Sequence, residues 1–126
     1  MNNLPIEKKE QLIREIDKNG FASVLKPLNK KILISRPFAN ILEGMEDFAV
    51  ENAEVELRIG DERIDENAVD VYDKNGKLIA EIDDYENEVF HNLLKGGKEL
   101  YATVERVCNH DGYFSVMRVK VYLVEV

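Results

Sequence analysis

The chain has 126 residues, of which 33% are charged, and a formal net charge of −8 at pH 7. Its length suits one domain, with a core that buries roughly two-thirds of the surface of the unfolded chain. The single cysteine, Cys108, excludes an intramolecular disulfide and a zinc site built from several cysteines. The polar N-terminus and the absence of a long apolar run predict a cytoplasmic protein without a membrane span.

The charge is unevenly distributed. Residues 1–40 carry eight basic and four acidic residues, whereas residues 41–126 carry nine and twenty-one. Such asymmetry is typical either of a basic arm for an anionic partner or of a basic segment that packs against its own acidic body.

Residues 5–18 predict a helix. Pro5 suits its first turn, Asn19-Gly20 ends it, and an apolar stripe follows helical spacing at Ile6, Leu12, Ile13 and Ile16. A connector follows, and residues 31–36 predict a short strand interrupted by Pro37. We therefore expect an N-terminal helix and connector over 1–29 and a domain over 30–126.

Residues 38–50 allow two interpretations. Apolar residues at helical spacing favour a helix, although Gly44 in its middle weakens this pattern. Alternatively, the strand resumes through Ala39–Leu42 and turns at Glu43-Gly44. The alternation over residues 54–59 then predicts a strand.

The segment 65–107 predicts a compact series of elements. Val69 and Val71 share one strand face, Asn75-Gly76 suits a hairpin turn, and the return strand runs to Ile82. Asp83 and Glu86 have capping-box spacing. The helix that they introduce should place one stripe against the core, formed by Tyr85, Val89, Phe90, Leu93 and Leu94.

Gly96-Gly97 should end that helix, and a strand with Leu100, Ala102 and Val104 on one face should follow. After a turn at residues 109–112, the run 113–126 predicts a long strand with apolar residues on both faces. We expect one face to hold Phe114, Val116, Tyr122 and Val124, and the other Met117, Val119, Val121 and Leu123.

The order of these elements resembles the HIRAN domain family over about residues 30–126. The matching positions are Asp65, Asn67, Ala68, Val69, Gly76, Leu78, Ile79, Leu93, Leu94, Gly97, Leu100, Ala102 and Val104. The resemblance implies an α+β fold: a small, OB-like β-barrel with about two helices, here with an added N-terminal helix.

The resemblance also implies a function. Members fused to helicases hold the 3′ end of single-stranded DNA, with aromatic side chains stacked on the terminal bases and an acid that accepts a hydrogen bond from the 3′-hydroxyl. The acid position matches Asp65.

The sequence departs from the family at Ile64, where an aromatic residue is usual, and at Glu81, where a basic or imidazole side chain is usual. In the family an aromatic pair commonly closes the first strand before a glycine-containing turn. If that turn is Glu43-Gly44, Ile41-Leu42 replaces the pair; if the strand ends at residues 36–38, only Phe38 remains of it. The sequence also lacks the Asn-Pro that often precedes the acid.

The candidate nucleic-acid site therefore consists of Asp65, Phe38, Phe114 and Arg36, with Lys26, Lys30 and Lys31 as further cations. Asp65 has a second interpretation, because aspartate often caps the turn that begins a strand. Phe38 and Phe114 have one too, since aromatic residues at such spacing usually belong to the core.

Metal and catalytic sites have little support. A zinc site needs converging ligands, whereas His91 is expected on the outer side of its helix and His110 in a turn, with only Cys108 nearby. The run Asp61, Glu62, Asp65 and Glu66 lacks the spacing of a calcium loop and suits a solvated loop. Because no catalytic motif is present, we expect no enzyme, no cofactor and no metal.

Two functions remain open. The first is a non-enzymatic HIRAN-like module that binds single-stranded DNA 3′ ends. The alternative is an acidic protein-interaction module in which DNA binding has been lost. The sequence predicts neither the partner nor the oligomeric state.

Overall fold

The computed structural model describes residues 30–110 and 114–125, and residues 31–125 form one compact unit. The predicted helix over 5–18 and the connector lie outside the described residues. The division into 1–29 and 30–126 therefore stays a prediction.

Seven strands, one α-helix and one turn of 3-10 helix make up the described part of the chain. Their bounds are β1 Lys30–Ser35, β2 Phe38–Ile41, the 3-10 turn Glu46–Phe48, β3 Glu54–Ile59, β4 Val69–Asp73, β5 Leu78–Ile82, α1 Glu88–Lys95, β6 Leu100–His110 and β7 Phe114–Glu125. The resemblance implied about two helices in this region; the described residues contain one α-helix, and the 3-10 turn occupies the other place.

Six strands close into an antiparallel barrel. The order β7-β2-β5-β4-β3-β6 returns to β7, because β6 also pairs with β7. The strand β1 lies beside β7 and continues the sheet. This architecture confirms the small OB-like barrel that the sequence implied.

Alternation of inward and outward side chains fills most of the barrel. Val55 and Leu57 on β3 are buried between exposed or half-buried neighbours, and Val69 and Val71 on β4 are buried next to half-buried ones. Other strands add further apolar residues to the core, notably Ala39, Ile41, Ile79, Ala80, Ile82, Ala102, Val104, Met117, Val119 and Val121. On one of the two predicted faces of the last strand, Met117, Val119 and Val121 are fully buried, and on the other face Val116 is buried as well.

The ambiguous segment after Pro37 forms a strand followed by a turn. β2 pairs with β5 and β7, and the N–H of Met45 donates to the carbonyl of Leu42 at 2.9 Å. Gly44 occupies this turn at a φ of +83°, a conformation that glycine adopts without strain. The predicted turn at Glu43-Gly44 is confirmed, and the helical alternative is wrong.

The predicted capping box of α1 does not form. The helix begins at Glu88, and Asp83 instead accepts the N–H of Tyr85 at 3.2 Å in a separate turn. Glu86 accepts the backbone N–H of Phe38 at 2.8 Å, 48 residues away in sequence. The spacing of Asp83 and Glu86 suggested a capping box, but Glu86 accepts a hydrogen bond from β2 rather than from the start of its own helix.

The predicted apolar stripe of α1 is partly wrong. Phe90 is fully buried and Leu94 packs against the core, but Tyr85 is 94% exposed and Val89 is 51% exposed. The buried face contains His91 instead, together with Asn87 just before the helix. A search for apolar residues cannot find this face, because half of it is polar.

Gly60 allows a close approach between the end of β3 and the start of β4. A Cβ atom at this position would lie 2.7 Å from Oδ1 of Asp70 and 3.1 Å from the Cβ of Ala68. At Gly96, in contrast, the nearest atom to an added Cβ is the carbonyl oxygen of Asn92 at 3.4 Å.

We therefore expect Gly60→Ala to lower the free energy of unfolding by about 1–2 kcal/mol, because a crowded methyl group forces the neighbouring strand to shift. Urea unfolding measures the change. The matched control is Gly96→Ala, for which we expect a change within about 0.5 kcal/mol. Equal stability of the two variants would contradict the close approach.

Candidate nucleic-acid interface

An open groove of about 880 Å³ lies on the outer surface of strands β2, β5 and β4. Asn40, Glu81 and Asp70 form a row across these three strands, since Asn40 is paired with Glu81 and Glu81 with Asp70. The adjacent residues Ala39 and Ala80 are buried in the barrel, so this row faces outward. The loop between β3 and β4 forms another part of the groove wall, with Asp61, Ile64, Asp65 and Glu66.

Asp65, the predicted acid of the site, is held by two hydrogen bonds. Its Oδ1 accepts the N–H of Asn67 at 2.9 Å, and its Oδ2 accepts Nδ2 of Asn87 at 2.8 Å. Asn87 is only 2% exposed. The turn-capping interpretation of Asp65 is therefore confirmed. An ionised carboxylate can accept about four hydrogen bonds, so Asp65 retains capacity for a ligand.

The groove is strongly acidic. No lysine or arginine occurs among the described residues that line it, whereas six carboxylates do: Asp61, Asp65, Glu66, Asp70, Glu81 and Asp84. Burial raises the pKa of Asp70, and repulsion from Asp61 adds to the shift. The pKa of Asp84 is raised chiefly by a hydrogen bond with Asp83, with smaller contributions from burial and neighbouring charges. Asp61, in contrast, is paired with Arg63, whose hydrogen bonds lower the pKa of Asp61. The burial of Asp70 and its repulsion from Asp61 indicate that this part of the groove disfavours additional negative charge.

A polar cluster connects the β3–β4 loop to α1. Oε2 of Glu62 lies 3.1 Å from Nε2 of His91 and 3.1 Å from Nζ of Lys95. Hydrogen bonds from Lys95 and then from His91 lower the pKa of Glu62. His91 is 6% exposed, so its predicted position on the outer side of the helix is wrong. The reason is that the loop folds over the helix and covers the imidazole.

Phe38 lies beside the groove, two residues from Asn40 on the same face of β2. Its ring contacts the guanidinium of Arg118, with Cζ 4.2 Å from the ring centroid, and its cross-strand partner on β7 is this same residue. Phe38 is half-buried and is not part of the core cluster. Its role as a stacking surface stays a prediction.

The other predicted residues lie around the barrel. Nε of Arg36 is 3.8 Å from Oε1 of Glu105, and Arg36 precedes the kink between β1 and β2. Phe114 begins β7 opposite His110, but the side chains of both lie outside the described residues. Lys30 and Lys31 are exposed on β1, and Lys26 lies outside the described residues.

Sequence reasoning missed Asn87 and Arg118. The sequence did not predict the role of Asn87, because a single asparagine before a helix does not indicate that its amide donates to an acid 22 residues away. Arg118 gave no signal of its contact with Phe38, because this stacking follows from the pairing of β2 with β7, which a sequence pattern does not specify.

Within the described ranges, no group of three or more histidine, cysteine, aspartate or glutamate residues is arranged to hold a metal ion. The same ranges contain no helix that is long and apolar enough to cross a membrane.

The raised pKa of Asp70 has a consequence for stability. An acid whose pKa is higher in the folded chain than its usual 3.8 destabilises the fold once it ionises, so stability falls as pH rises through that window.

We expect Asp70→Asn to raise the free energy of unfolding at pH 7 by up to about 0.5 kcal/mol, with the gain vanishing below about pH 4. Thermal unfolding across pH measures it. The control, Glu66→Gln, removes an equal charge from an exposed position of the groove; an equal gain there would exclude burial as the cause.

Two solved structures resemble this fold. The HIRAN domain of human HLTF aligns with 75% of this chain and 78% of its own, at 14% identity and a TM-score of 0.53. A protein from Lactobacillus plantarum aligns with 74% of this chain and 97% of its own, at 16% identity and a TM-score of 0.54. No protein-family model and no curated protein matches the sequence. At these identities the likeness concerns the fold, and the chain has a HIRAN-like barrel.

Proposed function

We propose that this protein is a HIRAN-like binding module that catalyses no reaction and holds the 3′ end of a single-stranded nucleic acid in the groove at Asp65. The observation that carries the proposal is the carboxylate of Asp65, oriented by the buried amide of Asn87 in the wall of an open groove. A carboxylate fixed in this way is suited to accept a hydrogen bond from a free hydroxyl.

The acidity of the groove limits which part of a strand can enter it. A phosphate among six carboxylates would meet strong repulsion. The terminal nucleoside of a strand with a free 3′-hydroxyl carries no phosphate on its 3′ side. Its hydroxyl and the N–H groups of its base are donors, and carboxylates are acceptors. The groove therefore favours an unphosphorylated end.

The border of the groove suits the next part of the strand. The ring of Phe38 offers a stacking surface, and stacking of one base on an aromatic side chain contributes roughly 1–3 kcal/mol. The guanidinium of Arg118 lies against this ring and can attract the first phosphate. The terminal nucleoside thus lies in the acidic groove, while the strand continues toward positive charge.

A second function is favoured by the same acidity. Six carboxylates without a basic residue among the described lining suit a cationic protein segment at least as well by charge. Ile64, which lines the groove at 86% exposure, adds an apolar contact. On this alternative the barrel is a protein-interaction module and does not bind DNA.

We expect the wild-type chain to bind a single strand with a free 3′-hydroxyl at least tenfold more tightly than the same strand with a 3′-phosphate. Asp65→Asn should reduce this preference, because a hydrogen bond to a charged acceptor contributes about 1.5–3 kcal/mol. Asparagine retains an oxygen for the N–H of Asn67, and the side-chain amide of Asn87 can turn over to accept from the new Nδ2, so the turn should persist. Fluorescence anisotropy at low salt measures both affinities.

The matched control is Asp73→Asn. Asp73 accepts the N–H groups of Asn75 and Lys77 in the β4–β5 hairpin and lies outside the groove lining, so this variant should keep the preference. Equal affinity of the wild type for the two ends would exclude recognition of the 3′-hydroxyl. If the chain binds no single strand but does bind an oligolysine peptide at the groove, the alternative function is favoured.

A further inference from the structure

The outer face of β6 and β7 combines basic and aromatic side chains. We call it the basic–aromatic face and define it by Lys31, Arg36, Phe38, Tyr101, Arg106, Arg118, Lys120 and Tyr122. It carries positive charge on a protein whose net charge is −8. The acidic groove lies on β2, β5 and β4, and Phe38 lies at the border between the two surfaces.

Strand register brings these residues together. Tyr101 is paired with Tyr122, and Arg106 with Arg118. The intervening residues Ala102, Val104, Val119 and Val121 are buried in the barrel, so the paired residues face outward. A bulge between Val104 and Arg106 keeps Arg106 on the outer side. Lys120 lies between Arg118 and Tyr122 on this same side of β7.

The cations of the face have few partners. Arg36 is 3.8 Å from Glu105, but neither Arg106 nor Lys120 forms an ion pair with another described residue. Nε of Arg118 is buried and lacks a hydrogen-bond partner. A ligand cannot reach this buried nitrogen. Arg106 is exposed and Lys120 is half-buried, and cations without a carboxylate partner gain more from an anionic ligand than cations already paired.

Two tyrosines form a pair that continues the line of cations along β6 and β7. The rings of Tyr101 and Tyr122 lie 5.8 Å apart at 51°, and Nζ of Lys31 is 3.9 Å from the centroid of Tyr101. Burial raises the pKa of Tyr101, with contributions from Glu54 and Tyr122. A tyrosine hydroxyl is a hydrogen-bond donor at neutral pH with or without this shift and can donate to a phosphate oxygen.

We propose that the basic–aromatic face binds the backbone phosphates and stacked bases of a single-stranded nucleic acid. The cations alone would suit any polyanion, but rings at Phe38, Tyr101 and Tyr122 add surfaces that match bases and have no counterpart in an acidic peptide. The inference rests on the proposed function for the place where the strand ends, because the strand enters the groove past Phe38. Binding of a strand without ends does not depend on the groove.

The test uses a circular oligothymidylate, which has no 3′ end, and the full-length chain. We expect the circle to bind at low salt and Arg106→Gln combined with Lys120→Gln to weaken that binding at least tenfold. The slope of log affinity against log salt should fall by about 1.4, roughly 0.7 for each phosphate contact removed. The matched control, Lys74→Gln with Lys77→Gln, removes the same charge from the β4–β5 hairpin, on the far side of the barrel, and should bind like the wild type.

A second variant separates stacking from charge. Tyr122→Leu should weaken binding of the circle about fivefold or more while leaving the salt slope unchanged, because a base contact releases no counterion. Its thermal unfolding checks that the strand remains folded.

The inference fails if the circle does not bind, if the two charge variants bind it equally, or if polyglutamate competes as strongly as the circle. The two proposals can fail separately. If Arg106→Gln with Lys120→Gln loses binding of the circle and the wild type shows no preference for a 3′-hydroxyl, the basic–aromatic face is supported and end recognition is rejected. If the wild type prefers the 3′-hydroxyl but does not bind the circle, end recognition is supported and the face is rejected.

Discussion

Closure of the barrel by β7 is the constraint on which the rest of the structure depends. This strand pairs with β6 along one edge and with β1 and β2 along the other. A closed sheet has an inside and an outside, and alternation along each strand assigns every side chain to one of them. Met117, Val119 and Val121 face inward and are fully buried. The outward positions of Arg118 and Lys120 follow directly.

Alternation explains which parts of the fold could be predicted. The strands that contain Val69 and Val71, or Ala102 and Val104, follow a period of two and were predicted with the correct inward face. The helix was harder, since its buried side includes the polar residues Asn87 and His91. Their burial depends on Asp65 and Glu62 in a distant loop, and local periodicity contains no information about such partners.

The candidate site shows a similar division. Asp65 was proposed because its position matches a family pattern, and Phe38 because it could be what remains of the family's aromatic pair at the end of the first strand. The acidity of the groove was hidden, since Asp61, Asp70, Glu81 and Asp84 come from four separate segments and converge only when the strands pair. The net charge of −8 was equally uninformative, because the fold separates it into an acidic groove and the basic–aromatic face.

The loop between β3 and β4 links stability to the site. It carries Asp61 and Asp65 into the groove, and buried contacts made by Glu62 and Asp65 attach it to α1. Asn87 and His91 would be costly to bury alone, because unpaired polar groups in a core destabilise the fold. Their partners on the loop remove most of that cost, although Nδ1 of His91 stays unpaired. Asn87 thus positions Asp65, and His91 adds a second contact between the loop and α1. Phe90 and Leu94 pack the helix against the core. A groove that is already in shape would lose little conformational entropy when a ligand binds.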